Sequence, residues 1–118
     1  MLSLRNQLKL GSPLDYESYL SSVIDKKAFD RISGYVKHAK SSTDLKIIGV
    51  GKCDDSKGFD IEPTIVETKN PKDRIMTEEI FGPVLTVYVY PDQKMEETLA
   101  LVDDTKYALT GSIFGKDE

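Results

Sequence analysis

The chain contains no tryptophan, one cysteine and one histidine among its 118 residues. A single cysteine cannot close an internal disulfide, which excludes a disulfide-stapled scaffold. One cysteine and one histidine fall short of a structural zinc site and leave little basis for a Cys–His catalytic pair. No apolar run approaches the roughly 20 residues of a membrane-spanning helix, so no membrane partner is expected. Met1–Leu10 carries neither the apolar core of a secretory signal nor an arginine-rich transit pattern, so no targeting segment is read there. An excess of one charge is also missing. Sixteen basic residues face 20 acidic ones, for a net charge of −4. Nucleic-acid binding draws on a concentrated basic surface, so no nucleic-acid partner is expected. Lys37, His38 and Lys40 form the densest basic cluster, and on a helix with acidic neighbours they read as a solvated face.

What is present is a globular balance, 39% hydrophobic and 31% charged, in a length that suits one domain. Helical and extended segments alternate without repeats, which predicts an α/β fold. Leu2, Leu4, Leu8 and Leu10 suit a short helix that Gly11, Ser12 and Pro13 break. Asp15–Ile24 fits either a weak helix or an irregular segment laid across another surface. A helix is predicted over Lys26–Lys40, capped by Asp25, with Ala28, Phe29, Ile32, Tyr35, Val36 and Ala39 forming one apolar stripe. Gly34 weakens it by about 1 kcal/mol relative to alanine, unless it permits close packing.

Leu45–Val50 reads as a strand and Gly51–Gly58 as a polar loop. Phe59–Thr68 alternates in strand fashion, and Pro63 predicts an edge position or a bend. Asn70–Met76 reads as a loop, and Thr77–Phe81 as one helical turn closed by Gly82 and Pro83. Val84–Tyr90 is the strongest strand candidate. A helix over Lys94–Asp103 and a final strand over Leu109–Phe114 complete a strand–helix–strand unit, which predicts a right-handed parallel crossover.

Few residues suggest chemistry on their own. Cys53 is flanked by Lys52, Asp54 and Asp55, which give no net positive setting to activate a thiol, so it reads as an incidental loop cysteine. His38 reads as a solvent-facing helix residue. Asp54–Asp55 and Asp103–Asp104 are adjacent carboxylates that diverge, which suits turns and caps better than an acid–base dyad. No array of spaced oxygen ligands suggests calcium, and no metal site is read. Gly49-x-Gly51 lacks the third glycine and following helix of a dinucleotide fingerprint.

The most informative stretch is Glu78-Glu79-Ile80-Phe81-Gly82-Pro83-Val84. Two acids sit on a tight turn that feeds the best strand. Gly82 would admit a conformation closed to other residues, and Pro83 fixes the start of the strand. A carboxylate beside an aromatic ring can hold a flat, polyhydroxylated ligand, the carboxylate accepting from hydroxyls and the ring packing on a planar face. A polar turn with a core phenylalanine explains the same residues more simply.

Glu78–Val84 resembles the EEIFGPV signature of the aldehyde dehydrogenase superfamily. Val23-Ile24-Asp25 followed by Ala28-Phe29 and Arg31-Ile32 resembles the family's helix start. Ile61-Glu62-Pro63-Thr64 resembles its VEPT segment, and Tyr107–Phe114 its YGLTGSVF strand. These matches run in the family's order from about Leu10 onward, while residues 1–10 match poorly. Ala108, where the family pattern usually has glycine, and Val50, which interrupts a usual Gly-Gly, are departures. Ser22–Ile32, Gly51–Ser56, Glu62–Asn70 and Val84–Asp92 are similar to the pyrroline-5-carboxylate dehydrogenase branch.

The resemblance implies a single segment, 1–118, of a three-layer α/β catalytic domain with a mostly parallel sheet. It implies NAD-dependent oxidation of an aldehyde, glutamate semialdehyde, to a carboxylate in proline catabolism. Glu79 matches the residue that contacts the nicotinamide ribose hydroxyls, and Phe81 the aromatic that packs near the nicotinamide. The family's nucleophilic cysteine and dinucleotide-binding domain match nothing in this chain, and Cys53 does not align with that cysteine. No catalytic residue is therefore assigned, weak NAD binding at best is expected, and no turnover is expected from the chain alone. The implied partner is the remainder of an aldehyde dehydrogenase chain, or a second copy through exposed apolar faces. The implied compartment is the mitochondrial matrix in a eukaryote and otherwise the cytoplasm. The alternative is a short aldehyde-dehydrogenase-like protein acting as a non-catalytic binding module.

Overall fold

The computed structural model describes residues 2–49, 51–107 and 109–115. Its centre is the helix α2, Lys26–Ser41, following a four-residue helix α1, Leu2–Arg5. Asp25, in extended conformation, accepts a hydrogen bond from the Ala28 N–H at 2.7 Å, which satisfies one orphan donor of the first turn. The predicted stripe is the buried face: Ile32 and Val36 are almost completely covered, with Phe29, Tyr35 and Ala39 beside them. A Cβ at Gly34 would meet nothing within 4 Å, so close packing does not account for that glycine.

The stripe covers a mixed three-stranded sheet. Strand β1, Leu45–Gly49, runs antiparallel to β4, Thr64–Thr68, and β4 runs parallel to β5, Val84–Tyr88. A separate antiparallel pair joins β2, Cys53–Asp54, to β3, Asp60–Ile61. The loop expected over 51–58 therefore contains a short strand. Pro63 separates β3 from β4, so the bend is realised and the edge position is not: β4 lies in the middle of its sheet. Val50, the last residue of the first expected strand, lies outside the described residues, as does Ala108. Residues 15–24 form turns with one bridge from Leu10 to Leu20, the irregular alternative.

Three boundaries differ from expectation. The helical turn before the motif is α3, Arg74–Thr77, and not 77–81, because the Asp73 carboxylate accepts from the Ile75 N–H at 2.9 Å and starts the turn earlier. The strand β5 stops at Tyr88. The helix α4, Met95–Asp103, follows a 3-10 turn over Asp92–Lys94. The final strand over Leu109–Phe114 is not formed among the described residues. No strand is paired with it, and Leu109, Ile113 and Phe114 are each more than 90% exposed. β propensity needs a neighbouring ladder to be expressed. The parallel crossover expected there is replaced by the one between β4 and β5. Among the described residues no helix is long and apolar enough to cross a membrane.

Candidate functional site

The Glu78–Val84 segment lies on that crossover, between α3 and β5, and one flank of α2 holds it in place. Arg31 donates to the Ile80 carbonyl, and the Tyr35 hydroxyl donates to the Glu78 carboxylate. The Arg74 guanidinium lies 4.6 Å from the centre of the Tyr35 ring, within cation–π range. Further along, His38 Nε2 sits 2.9 and 3.1 Å from the two carboxylate oxygens of Asp73. Residues 31, 35 and 38 are four and three apart, so they line up along one edge of the helix. His38 is thus not the solvent-facing residue expected: the Asp73 carboxylate that caps α3 also pairs with it.

Glu78 is extended, with φ −107° and ψ 146°, and side chains along extended backbone alternate sides. Glu78 turns toward Tyr35, and Glu79 turns out. Ile80 is 8% exposed and joins the core beside Ile32 and Ile75. Phe81 is 78% exposed. The two acids therefore part company: Glu78 is a structural acceptor, while Glu79 makes no hydrogen bond or ion pair among the described residues. Phe81 is not the core residue of the simpler reading. It stands beside Glu79 on an open cleft of about 490 Å³ that Met76, Glu78, Val84 and Thr86 also line.

The unusual backbone falls one residue from where the sequence placed it. Phe81 has φ 50°, in the left-handed region, and no described glycine has a positive φ. An aromatic residue held there costs about 1–2 kcal/mol, and such residues cluster at ligand sites. Gly82 is required for a different reason: a Cβ on it would lie 2.6 Å from Ile32 Cδ1. The turn is pressed against the most buried side chain of α2.

The same contacts perturb Tyr35. The Glu78 carboxylate that accepts from its hydroxyl, together with burial, holds the phenol above its ordinary range, against the opposing pull of Arg74 and Arg31. Arg31, Tyr35 and Arg74 were not singled out in the sequence as site residues. The spacing of four between Arg31 and Tyr35 on α2 was the available signal for those two, and none pointed to Arg74 on α3. Cys53 lies on β2, half-buried, lining a cleft that shares no residue with that of Glu79. Asp54 fills a turn role, accepting from the Ser56 N–H and from Lys52 at 3.0 Å each, which holds its carboxyl well below the usual range.

Comparison with known proteins gives consistent matches. All of residues 1–118 match the aldehyde dehydrogenase family. The mitochondrial delta-1-pyrroline-5-carboxylate dehydrogenase of Danio rerio is 53% identical over 120 residues, covering 100% of this chain and 22% of the relative. The Homo sapiens enzyme of the same name is 52% identical, covering 100% of the chain and 21% of the relative. The crystal structure of the Mycobacterium tuberculosis Delta-pyrroline-5-carboxylate dehydrogenase bound with NAD superposes with a TM-score of 0.85 at 32% identity, covering 98% of this chain and 21% of that one. The chain spans about a fifth of the length of the curated relatives it matches.

Proposed function

The chain belongs to the aldehyde dehydrogenase family, and from that premise we propose that it supplies part of the cofactor site for NAD-dependent oxidation of glutamate semialdehyde to glutamate. The observation that carries this reading is the pairing of Glu79 and Phe81. One exposed carboxylate with no hydrogen bond or ion pair among the described residues and one exposed ring line the same cleft, on a turn that α2 holds at Glu78 and Ile80. That pair fits the ribose and the flat ring of a nicotinamide nucleoside. The carboxylate accepts from ribose hydroxyls, and the ring packs against the planar face. NAD, when bound, supplies the hydride acceptor. This chain's residues bind and orient it, and none of them is the reacting nucleophile. The names of the zebrafish and human relatives support the substrate and a mitochondrial setting, and the NAD-bound mycobacterial structure supports the cofactor.

The remainder of an aldehyde dehydrogenase chain is the proposed partner. Met95, Leu99 and Val102 on α4, together with Leu109, Ile113 and Phe114, are at least half exposed, and such a surface calls for cover. The radius of gyration, 15.8 Å, also exceeds the roughly 13.5 Å of a compact chain of this length.

The test is a chimera in which this chain replaces the matching 120 residues of the zebrafish relative. It should oxidise glutamate semialdehyde with NAD. Glu79→Gln in the chimera should lower kcat/KM for NAD about tenfold, a loss of about 1.4 kcal/mol. A chimera indifferent to Glu79→Gln, or robust NADH production by the 118-residue chain alone, contradicts the reading.

A further inference from the structure

We propose that the other flank of α2 carries a second binding site, for a small phosphate-bearing anion. A cleft of about 450 Å³ opens there, lined by Ser33, Lys37, Lys40, Gly51, Lys52 and Cys53 among others. Ser33, Lys37 and Lys40 are four and three residues apart on α2, on the far side of the apolar stripe from Arg31, Tyr35 and His38.

Two independent features point to an anion. The first is charge. Three lysines line one cleft, and no carboxylate residue lines it. Lys37 and Lys40 form no ion pair among the described residues. Lys52 pairs with Asp54 at 3.0 Å, which uses one of its three N–H donors. The second is an orphan hydroxyl. Ser33 is 6% exposed, and its Oγ is buried without a hydrogen-bond partner, alone in this among the described residues. Buried hydroxyls without a partner are rare, because desolvation is not returned. A water molecule would satisfy Ser33 and leave Lys37 and Lys40 without a counter-charge. A phosphate group answers both. Its tetrahedral oxygens accept from several directions, and its charge of about −1.5 to −2 near neutral pH offsets the ammonium groups. A planar carboxylate, with two oxygens and one charge, reaches fewer of these donors.

This site shares no lining residue with the Glu79 cleft, so its fate is independent of the proposed function. Cys53 provides the readout, because it is the single thiol of the chain and it lines the pocket. The 118-residue chain is labelled with iodoacetamide, an uncharged reagent, at constant ionic strength set with sodium chloride. One arm titrates inorganic phosphate and the other glycerol phosphate. Saturable slowing of labelling by about fivefold or more is expected. Protection in both arms assigns the site to the phosphate group itself, and protection only by the ester assigns it to an organic phosphate.

Lys37→Gln with Lys40→Gln should weaken protection about tenfold, the scale of a lost pair of charge-assisted contacts. Ser33→Ala should weaken it as well, while raising the Tm of the ligand-free chain, because the orphan hydroxyl is gone. Labelling that ignores both anions, or protection that survives the double lysine variant, overturns the proposal.

Discussion

The Tyr35 hydroxyl donates to the Glu78 carboxylate, joining the middle of α2 to the start of the motif turn across 43 residues of sequence. Adjacent Glu79 makes no such contact. A pair of identical side chains is thereby split into one that builds the turn and one that the turn presents. The split follows from backbone alternation and from the ring that α2 places beneath Glu78.

Removing the hydroxyl should therefore loosen the turn. Tyr35→Phe keeps the packing and strands a carboxylate that water can reach, so the expected cost is about 1 kcal/mol in urea denaturation. Tyr35→Ala also removes a ring that is 8% exposed and should cost about 3–5 kcal/mol.

The same phenol sets a pH dependence. Its folded pKa is raised above the ordinary 10.0, chiefly by the Glu78 hydrogen bond. A group whose folded pKa is raised contributes stability that is complete below the unfolded pKa and is lost as pH rises through the folded value. The urea midpoint should show no Tyr35-linked loss below about pH 9 and fall above pH 10. Spectroscopic titration should show a late tyrosinate step that Tyr35→Phe removes.

Gly82→Ala should be destabilising by overpacking and not by backbone strain. The new methyl would sit 2.6 Å from Ile32 Cδ1, which predicts a loss of about 1–3 kcal/mol. Ile32→Val removes that Cδ1, so the loss from Gly82→Ala should be smaller in the Ile32→Val background. A double-mutant cycle that shows strict additivity would refute the contact.

At Phe81 the usual ranking of glycine and alanine should invert. Alanine would inherit the strain of φ 50°, whereas glycine would not. Phe81→Gly should be more stable than Phe81→Ala by about 1 kcal/mol in thermal unfolding.

Gly34 tests the opposite case. Its surroundings are open and it lies inside α2, so Gly34→Ala should stabilise the chain by about 1 kcal/mol. Unchanged stability would mean that the glycine serves something other than the helix.

The legible parts of this molecule were those encoded over short distances. Asp25 and the stripe from Ala28 to Ala39 announce α2, because caps and helical spacing act within a few residues. Pro63 announces the break between β3 and β4. Glu79 and Phe81 were named through the resemblance of Glu78–Val84 to the family signature, which is itself a short contiguous stretch. Contacts between distant segments were illegible. Nothing near His38 in sequence points to Asp73, and Tyr35 looked like one more apolar stripe residue until Glu78 was placed above it. The positive φ was assigned to Gly82 on residue type alone. The packing of Ile32 against Gly82 shows that contact, and not torsion, demands a glycine there. Leu109–Phe114 has strand composition, yet no neighbour among the described residues forms a ladder with it.

Within the described sheet, β5 is held along one edge only, by a parallel pairing with β4. Parallel neighbours cannot zip up from a hairpin, so the intervening stretch must be routed before the first rung closes. That stretch carries Glu79 and Phe81. Assembly of their turn and recruitment of β5 are thus coupled. Whatever occupies the turn lends its binding free energy to the ladder, and peeling β5 from its neighbour dismantles the turn with it.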